Sequence, residues 1–184
     1  MNAMPEDLKG LIFDIKRDCS EDGPGIRTTV FFKGCPLACV WCHNPEGIAA
    51  GPSISFSADR CDPNRCGGYA CLTVCPMRAL GLNPENKKIR IDHAACTRCD
   101  ECFDACPTRA LAPVGNWWTL KELIEKVLID KKFFEATGGG VTLSGGEPLF
   151  QAVFPDNIHN RKSLAPRYSS RASCADSPAC SGGR

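Results

Sequence analysis

The stretch Cys35-Pro36-Leu37-Ala38-Cys39-Val40-Trp41-Cys42 places three cysteines on one short loop, directly after an apolar run at residues 28–32. Three thiolates at this spacing can hold three irons of a four-iron cluster. The fourth iron then has no protein ligand within reach, and an iron with an open position can bind a small molecule. The spacing therefore predicts a cluster with one open iron, held by Cys35, Cys39 and Cys42.

The cysteine content separates two classes of protein. Fourteen cysteines in 184 residues indicate either a disulfide framework in a secreted protein or metal and cluster ligands in a reducing compartment. The first ten residues carry Glu6, Asp7 and Lys9 and lack the apolar segment of a signal peptide, and no run of about 18 apolar residues occurs. We therefore expect a soluble, cytoplasmic protein. A net charge of +1 offers no broad surface for nucleic acid or a membrane.

The segment from Cys61 to Leu111 contains an internal duplication, in which residues 71–80 match residues 102–111 and each copy keeps a C-x3-C-P pattern. The second copy is the C-x2-C-x2-C-x3-C-P run of bacterial two-cluster ferredoxins, whose fourth cysteine ligates the other cluster. This pattern predicts a two-cluster insert over residues 56–113. One predicted ligand set is Cys61, Cys66, Cys71 and Cys106, and the other is Cys75, Cys96, Cys99 and Cys102.

Zinc is the alternative metal for both cysteine groups, and free core thiols are a further alternative for Cys35, Cys39 and Cys42. A structural zinc site normally takes four protein ligands, whereas the loop at residues 35–42 offers three. Two four-cysteine zinc sites in the insert would not need the C-x3-C-P ending twice. We therefore favour iron–sulfur clusters in both places, and we interpret Cys19, Cys174 and Cys180 as ordinary thiols.

The segments around the insert predict a layered α/β structure. Residues 11–15 and 28–32 read as strands, separated by the turn at residues 23–25. Thr119 and Glu122 form a capping box for a helix.

Three glycines at residues 138–140 should end that helix, and residues 141–144 predict a further strand that leads into the turn at residues 145–148. The order strand, helix, strand implies parallel pairing. The cysteine loop and the turn at 145–148 should therefore face the same edge of the sheet.

The character of the sequence changes at about residue 155. Residues 163–184 are rich in Ser, Ala, Pro, Arg and Gly and show no apolar periodicity, so they cannot bury enough surface to offset the entropy cost of ordering. We expect residues 155–184 to be a disordered or frameshifted tail.

The motifs closely resemble the activating enzymes of glycyl radical enzymes, in the radical S-adenosylmethionine superfamily. The resemblance covers roughly residues 8–152 and rests on the segments 22–29, 35–46 and 145–148. It implies an α/β fold, namely the N-terminal part of a partial (β/α) barrel, truncated after the Gly-Gly-Glu-Pro motif. Its first strands and cysteine loop would occupy residues 1–55, and its continuation residues 114–154.

The resemblance also implies a chemistry. The open iron would bind S-adenosylmethionine, with Trp41 against the adenine and Gly145, Gly146 and Glu147 at the methionyl amine. A core tryptophan and a plain turn are the alternatives for these residues. A low-potential donor such as flavodoxin or ferredoxin would reduce the three [4Fe-4S] clusters. Cleavage of S-adenosylmethionine would then give a 5'-deoxyadenosyl radical, which removes hydrogen from a glycine of a partner glycyl radical enzyme.

Three interpretations of function remain open: an activase, a ferredoxin-like electron carrier, and a non-functional gene fragment. A different radical S-adenosylmethionine reaction is a further alternative, and against it the position of the two-cluster insert, directly after the first strand and loop, favours an activase. The sequence assigns no catalytic side chain, since His43, His93 and His159 show no ligand spacing.

Overall fold

The computed structural model describes residues 8–160, 164 and 167–168, which fall into two units. The first unit is formed by the described residues up to Gly51 and from Gly115 onward, and the second by Pro52–Val114. The second unit therefore begins at residue 52 rather than at the predicted residue 56, because a strand at Ser53–Phe56 pairs with one at Leu111–Val114.

The described residues form β-strands, α-helices and short 3-10 turns. The strands are β1 (Lys9–Cys19), β2 (Arg27–Phe32), β3 (Ser53–Phe56), β4 (Leu80–Leu82), β5 (Ile89–Ile91), β6 (Leu111–Val114), β7 (Asn116–Thr119), β8 (Gly140–Gly145) and β9 (Arg167–Tyr168). The α-helices are α1 (Ala70–Val74), α2 (Glu101–Asp104), α3 (Leu120–Leu128), α4 (Lys131–Thr137) and α5 (Val153–His159). Short 3-10 turns occur at Pro45–Gly47, Ala58–Arg60 and Pro148–Gln151.

The first unit is built on a sheet with strand order β7-β1-β2-β8-β9. β1 is antiparallel to both of its neighbours, whereas β2 pairs in parallel with β8 and β8 with β9. The predicted parallel pairing is confirmed. β2 and β8 are almost entirely buried, as expected of parallel strands that are covered on both faces.

The helical region begins as predicted but contains a break. The Thr119 hydroxyl accepts a hydrogen bond from the Glu122 N–H, and the Glu122 carboxylate accepts one from the Thr119 N–H, which confirms the capping box. Instead of one helix that runs to the glycines, α3 ends at Leu128 and α4 follows, ending at Gly138 in the left-handed conformation.

Asp130 explains the break between α3 and α4. Its buried carboxylate accepts hydrogen bonds from the Arg17 guanidinium and from the Thr28 hydroxyl at 2.7 Å. The bond from Arg17, helped by the one from Thr28, holds the pKa of Asp130 below its usual value against the effect of burial. The turn between the helices therefore ties them to β1 and β2.

The first residues of the predicted tail, 155–159, belong to an ordered helix. Residues 153–159 form α5, in which Phe154 and Ile158 are buried in the core of the first unit. The Phe154 ring lies edge-on to Phe32, with 6.1 Å between the ring centroids. Pro155 falls in the first turn of α5, where proline is tolerated. The rest of the predicted tail, residues 161–163, 165–166 and 169–184, lies outside the described residues.

The second unit contains two short antiparallel pairs, β3–β6 and β4–β5, together with α1 and α2. Its core combines aliphatic side chains with two of the cysteines. The buried members are Ile54, Cys71, Leu80, Ile89, Cys102 and Leu111.

Across the described residues of both units, no helix combines the length and apolarity needed to cross a membrane.

The capping box yields a stability prediction. Thr119→Ala removes the hydroxyl that satisfies the Glu122 N–H, so the free energy of unfolding should fall by about 1 kcal/mol. Urea denaturation of the anaerobic protein, followed by circular dichroism, measures this change. Thr119→Ser is the matched control, because it keeps the hydroxyl and should remain close to wild type. An equal loss in both variants would contradict the role of the cap.

Candidate functional site

The cysteine loop starts at the end of β2 and is closed at its base by backbone hydrogen bonds. The Gly34 N–H donates to the Gly47 carbonyl at 2.7 Å, and the Cys35 N–H donates to the Ile48 carbonyl at 3.1 Å. These two bonds fix both ends of the loop that carries the three cysteines.

The turn after β8 docks on the base of this loop. The Gly146 N–H donates to the Phe32 carbonyl at 2.7 Å, and the Glu147 N–H donates to the Gly34 carbonyl at 3.0 Å. A Cβ atom on Gly146 would lie 2.6 Å from the Gly34 oxygen, and Gly145 has a positive φ of 96°. The two glycines are therefore required for close approach of the backbones, in addition to any contact with a ligand.

Gln151 holds the same region from the other side. Its side chain accepts a hydrogen bond from the Leu11 N–H at 2.7 Å and donates to the carbonyls of Leu11 at 3.0 Å and Lys33 at 2.8 Å. It thereby joins β1 to the residue that follows β2.

One cleft contains every predicted site residue of the first unit. Its empty volume is about 850 Å³, which includes space open to solvent. Trp41 is 43% exposed, so it is not the core tryptophan of the alternative interpretation. The predicted residues that line the cleft are Cys35, Cys39, Trp41, Cys42, Gly145, Gly146 and Glu147.

The cleft also contains residues for which no role was predicted, among them Asp22, Phe31, His43, Asn44 and Ser144. Asp22 is held in place on both sides. Its carboxylate accepts a hydrogen bond from the Thr29 hydroxyl, and its carbonyl accepts one from the Thr142 hydroxyl at 2.9 Å. Asp22 is the first residue of the Asp-Gly-Pro-Gly motif. This motif was the feature of the sequence that could have identified Asp22 as a site residue.

The second unit contains two smaller hollows. The first has an empty volume of about 300 Å³ and is lined by the predicted set Cys61, Cys66, Cys71 and Cys106. Burial, reinforced by the neighbouring thiolates, raises the pKa of Cys71 to about 11. Burial also acts to raise the pKa of Cys106, but hydrogen bonds from the Leu111 N–H, the Thr108 hydroxyl and the Ala110 N–H lower it overall.

The second hollow has an empty volume of about 330 Å³ and is lined by the predicted set Cys75, Cys96, Cys99 and Cys102. Burial raises the pKa of Cys102 to about 11. In both hollows, three cysteines come from one copy of the duplication and the fourth from the other copy. The structure thus brings together the two crossed sets that the duplication predicts.

None of the twelve cysteines within the described ranges is in a disulfide bond. No three Cys, His, Asp or Glu side chains among the described residues stand close enough to enclose a single metal ion. Cys19 lies outside the three groups, where its sulfur contacts the Lys16 carbonyl at 3.6 Å. Cys174 and Cys180 lie outside the described residues.

Two family models match the chain. A 4Fe-4S single cluster domain matches residues 21–63, which include the cysteine loop. A 4Fe-4S dicluster domain matches residues 59–110, which include the eight insert cysteines. Iron–sulfur motifs therefore occur in both units.

Curated relatives match about four fifths of the chain. The isethionate sulfite-lyase activating enzyme of Oleidesulfovibrio alaskensis is 42% identical over 153 residues, which are 81% of this chain and 48% of that protein. The benzylsuccinate synthase activating enzyme of Thauera aromatica is 46% identical over 149 residues, 79% of this chain and 43% of that protein. The (2S)-3-sulfopropanediol dehydratase activating enzyme of Klebsiella oxytoca is 39% identical over 84% of this chain and 47% of that protein. The chain spans about half the length of these relatives.

A solved structure described as a model of ribosome-bound archaeal Pelota and ABCE1 is similar to 35% of this chain and 12% of its own, with 33% identity and a TM-score of 0.33. This similarity is too low to carry an argument.

The docking of the turn predicts how the cysteine loop responds to substitution. In Gly146→Ala the new methyl group meets the Gly34 and Gly47 carbonyl oxygens, so the loop must move. We expect this variant to lose most of the iron held by the loop, about four atoms per chain, and to keep the insert iron. Iron analysis after anaerobic reconstitution measures the loss. Gly51→Ala is the control, because its Cβ would meet nothing within 4 Å. Unchanged iron in Gly146→Ala would refute this account of the turn.

Proposed function

We propose that this chain, which is homologous to the activating enzymes of glycyl radical enzymes as its motifs predict, binds a 4Fe-4S cluster and S-adenosylmethionine together in the cleft. The observation that carries the proposal is the placement of the three loop cysteines opposite the Gly-Gly-Glu turn. Both lie where the parallel strands β2 and β8 end, which is where α/β sheets bind ligands.

The residues present fit these two groups. Thiolates are soft ligands that suit iron–sulfur clusters, and three of them leave one iron open for a substrate. The cleft has more than twice the empty volume of either insert hollow, so a cluster leaves room for an organic molecule.

The polar groups of the cleft suit an amino acid moiety. Glu147 and Asp22 provide carboxylates that can accept hydrogen bonds from an ammonium group. One oxygen of Glu147 already accepts from the Leu149 N–H at 3.0 Å, which fixes the direction of that side chain. The exposed ring of Trp41 provides a surface on which an adenine could stack.

The bound cluster would supply one electron to cleave S-adenosylmethionine, giving methionine and the 5'-deoxyadenosyl radical that takes a hydrogen atom from a glycine. In this proposal the chain supplies binding and orientation. Cys35, Cys39 and Cys42 hold the cluster, Glu147 and Asp22 orient the methionyl end, and Trp41 orients the adenine. The proposed partner is a glycyl radical enzyme.

The insert would hold two further 4Fe-4S clusters and pass electrons from a low-potential donor such as flavodoxin or ferredoxin. Support comes from the dicluster match and from the two crossed cysteine sets. The twelve described cysteines, none of which is in a disulfide, suit a reducing compartment such as the cytoplasm. We further propose that β2, β8 and β9 begin a partial (β/α) barrel, since they pair in parallel.

Electron transfer without catalysis is the second candidate. It is favoured by the match of the insert alone to a dicluster domain and by the separate core of that unit. Cleavage of S-adenosylmethionine distinguishes the activating enzyme from the electron carrier, because a protein that only transfers electrons does not need an iron with an open coordination position.

The proposed ligand sets predict the iron content. Anaerobically reconstituted protein should hold about twelve irons and as many sulfides, because eleven cysteines form three ligand sets. Replacement of Cys35, Cys39 and Cys42 by alanine should remove about four irons and leave the rest. Cys19→Ala is the control and should change nothing. Loss of all iron in the triple variant, or tightly bound zinc in place of iron, would disprove the assignment.

The open cleft leads to a prediction about the activity of the isolated chain. Hydrogen abstraction needs the glycine held against the adenosyl carbon, and the cleft contains space open to solvent, which would quench the radical. We expect weak binding of S-adenosylmethionine, slow release of 5'-deoxyadenosine, and no glycyl radical in a partner. Electron paramagnetic resonance after anaerobic incubation with dithionite, S-adenosylmethionine and a candidate partner tests this, with the triple cysteine variant as the blank. A strong glycyl doublet would contradict the prediction.

A further inference from the structure

The two copies of the insert motif have the same backbone around their last cysteine. Arg78 and Arg109 occupy equivalent positions in the left-handed region, with φ of 49° and 51°. This conformation directs the next N–H at the sulfur, so that Ala79 donates to Cys75 and Ala110 to Cys106, both at 3.3 Å. Each crossed cysteine therefore receives the same backbone hydrogen bond.

The copies differ at one position beside this sulfur. Thr108 Oγ lies 3.6 Å from Cys106 Sγ, whereas the equivalent residue near Cys75 is Met77, which carries no hydrogen-bond donor. Thr108 lines the first hollow and Met77 the second. A cysteine that ligates iron is a thiolate and has no proton to give, so the Thr108 hydroxyl must be the donor.

We propose, resting on the cluster sites of the proposed function, that Thr108 is a redox-tuning residue for the cluster held by Cys61, Cys66, Cys71 and Cys106. A hydrogen bond to a ligand sulfur stabilises the more negative, reduced state and so raises the reduction potential. The other insert cluster has the same N–H···S bond at Cys75, but Met77 replaces the threonine beside that sulfur. The duplication thus provides a reference cluster within the same chain.

The difference between Thr108 and Met77 favours one direction of electron transfer between the two insert clusters. Cys99, in the second hollow, is exposed, and Met77 beside it is half-exposed, so an external donor can reach that cluster first. The donor loses one electron, the second cluster gains it and passes it on, and the first cluster is reduced with no proton moved. The hydroxyl of Thr108 favours this last transfer. Exposure of Cys99 to water also raises the reduction potential of the second cluster. The effect of the hydroxyl is therefore measured by comparing variants of the same cluster, and not by comparing the two clusters with each other.

The test is an anaerobic potentiometric titration of the reconstituted full chain, followed by electron paramagnetic resonance. Thr108→Val should lower the potential of one insert cluster and leave the other unchanged, while Thr108→Ser, which keeps the hydroxyl, should match the wild type. Met77→Thr should raise the potential of the cluster that Thr108→Val leaves unchanged. Thr73→Val is the control, because the Thr73 hydroxyl of the same unit donates to the Ala70 carbonyl at 2.8 Å and Thr73 lines neither of the two hollows.

The iron content of each variant separates the two possible failures. A full complement of insert iron with no shift in Thr108→Val, or with equal shifts in Thr108→Val and Thr108→Ser, would overturn the role of Thr108 and leave the proposed function intact. An insert that holds no iron in the wild type would overturn both.

Discussion

The parallel pairing of β2 with β8 is the constraint on which the candidate site depends. The register places Phe32 opposite Gly145, so the two strands end together and their following segments leave the same edge of the sheet. Hydrogen bonds from the N–H groups of Gly146 and Glu147 then fasten one segment to the other. Because these bonds involve the backbone only, the side chains of both segments are left to line the cleft. Any residue larger than glycine at position 146 would push the backbones apart.

The stability of the insert depends on other interactions, because a unit of this size has little apolar core of its own. Cys71 and Cys102 are buried among its aliphatic side chains, and burial raises the pKa of each thiol to about 11. At neutral pH these thiols keep their protons until iron displaces them, so cluster binding and proton release are coupled. The crossed fourth cysteines, Cys75 and Cys106, make each half of the unit depend on the other.

Features set by local spacing were predictable from the sequence, and features set by distant contacts were not. The capping box at Thr119 needs a partner three residues away, and the cysteine sets follow from the spacing of a duplicated motif. The helix break depends on Asp130 and its bond to Arg17, 113 residues earlier in the chain. Gln151 likewise reaches Leu11 across 140 residues. The burial of Phe154 that extends the fold past residue 153 requires Phe32 from β2, which no local pattern reveals.

The number of cysteines around each hollow separates their chemical roles. Four cysteines line each of the insert hollows, and four thiolates saturate a four-iron cluster, which leaves electron transfer as its available chemistry. Three cysteines line the cleft, together with Asp22, Ser144 and Glu147, which carry oxygen ligands and hydrogen-bond acceptors. Oxygen ligands are poorly matched to iron–sulfur clusters, so these groups suit a polar substrate better than they suit the metal. The cleft is therefore the part of the chain to which the proposed function assigns a reaction on a bound molecule.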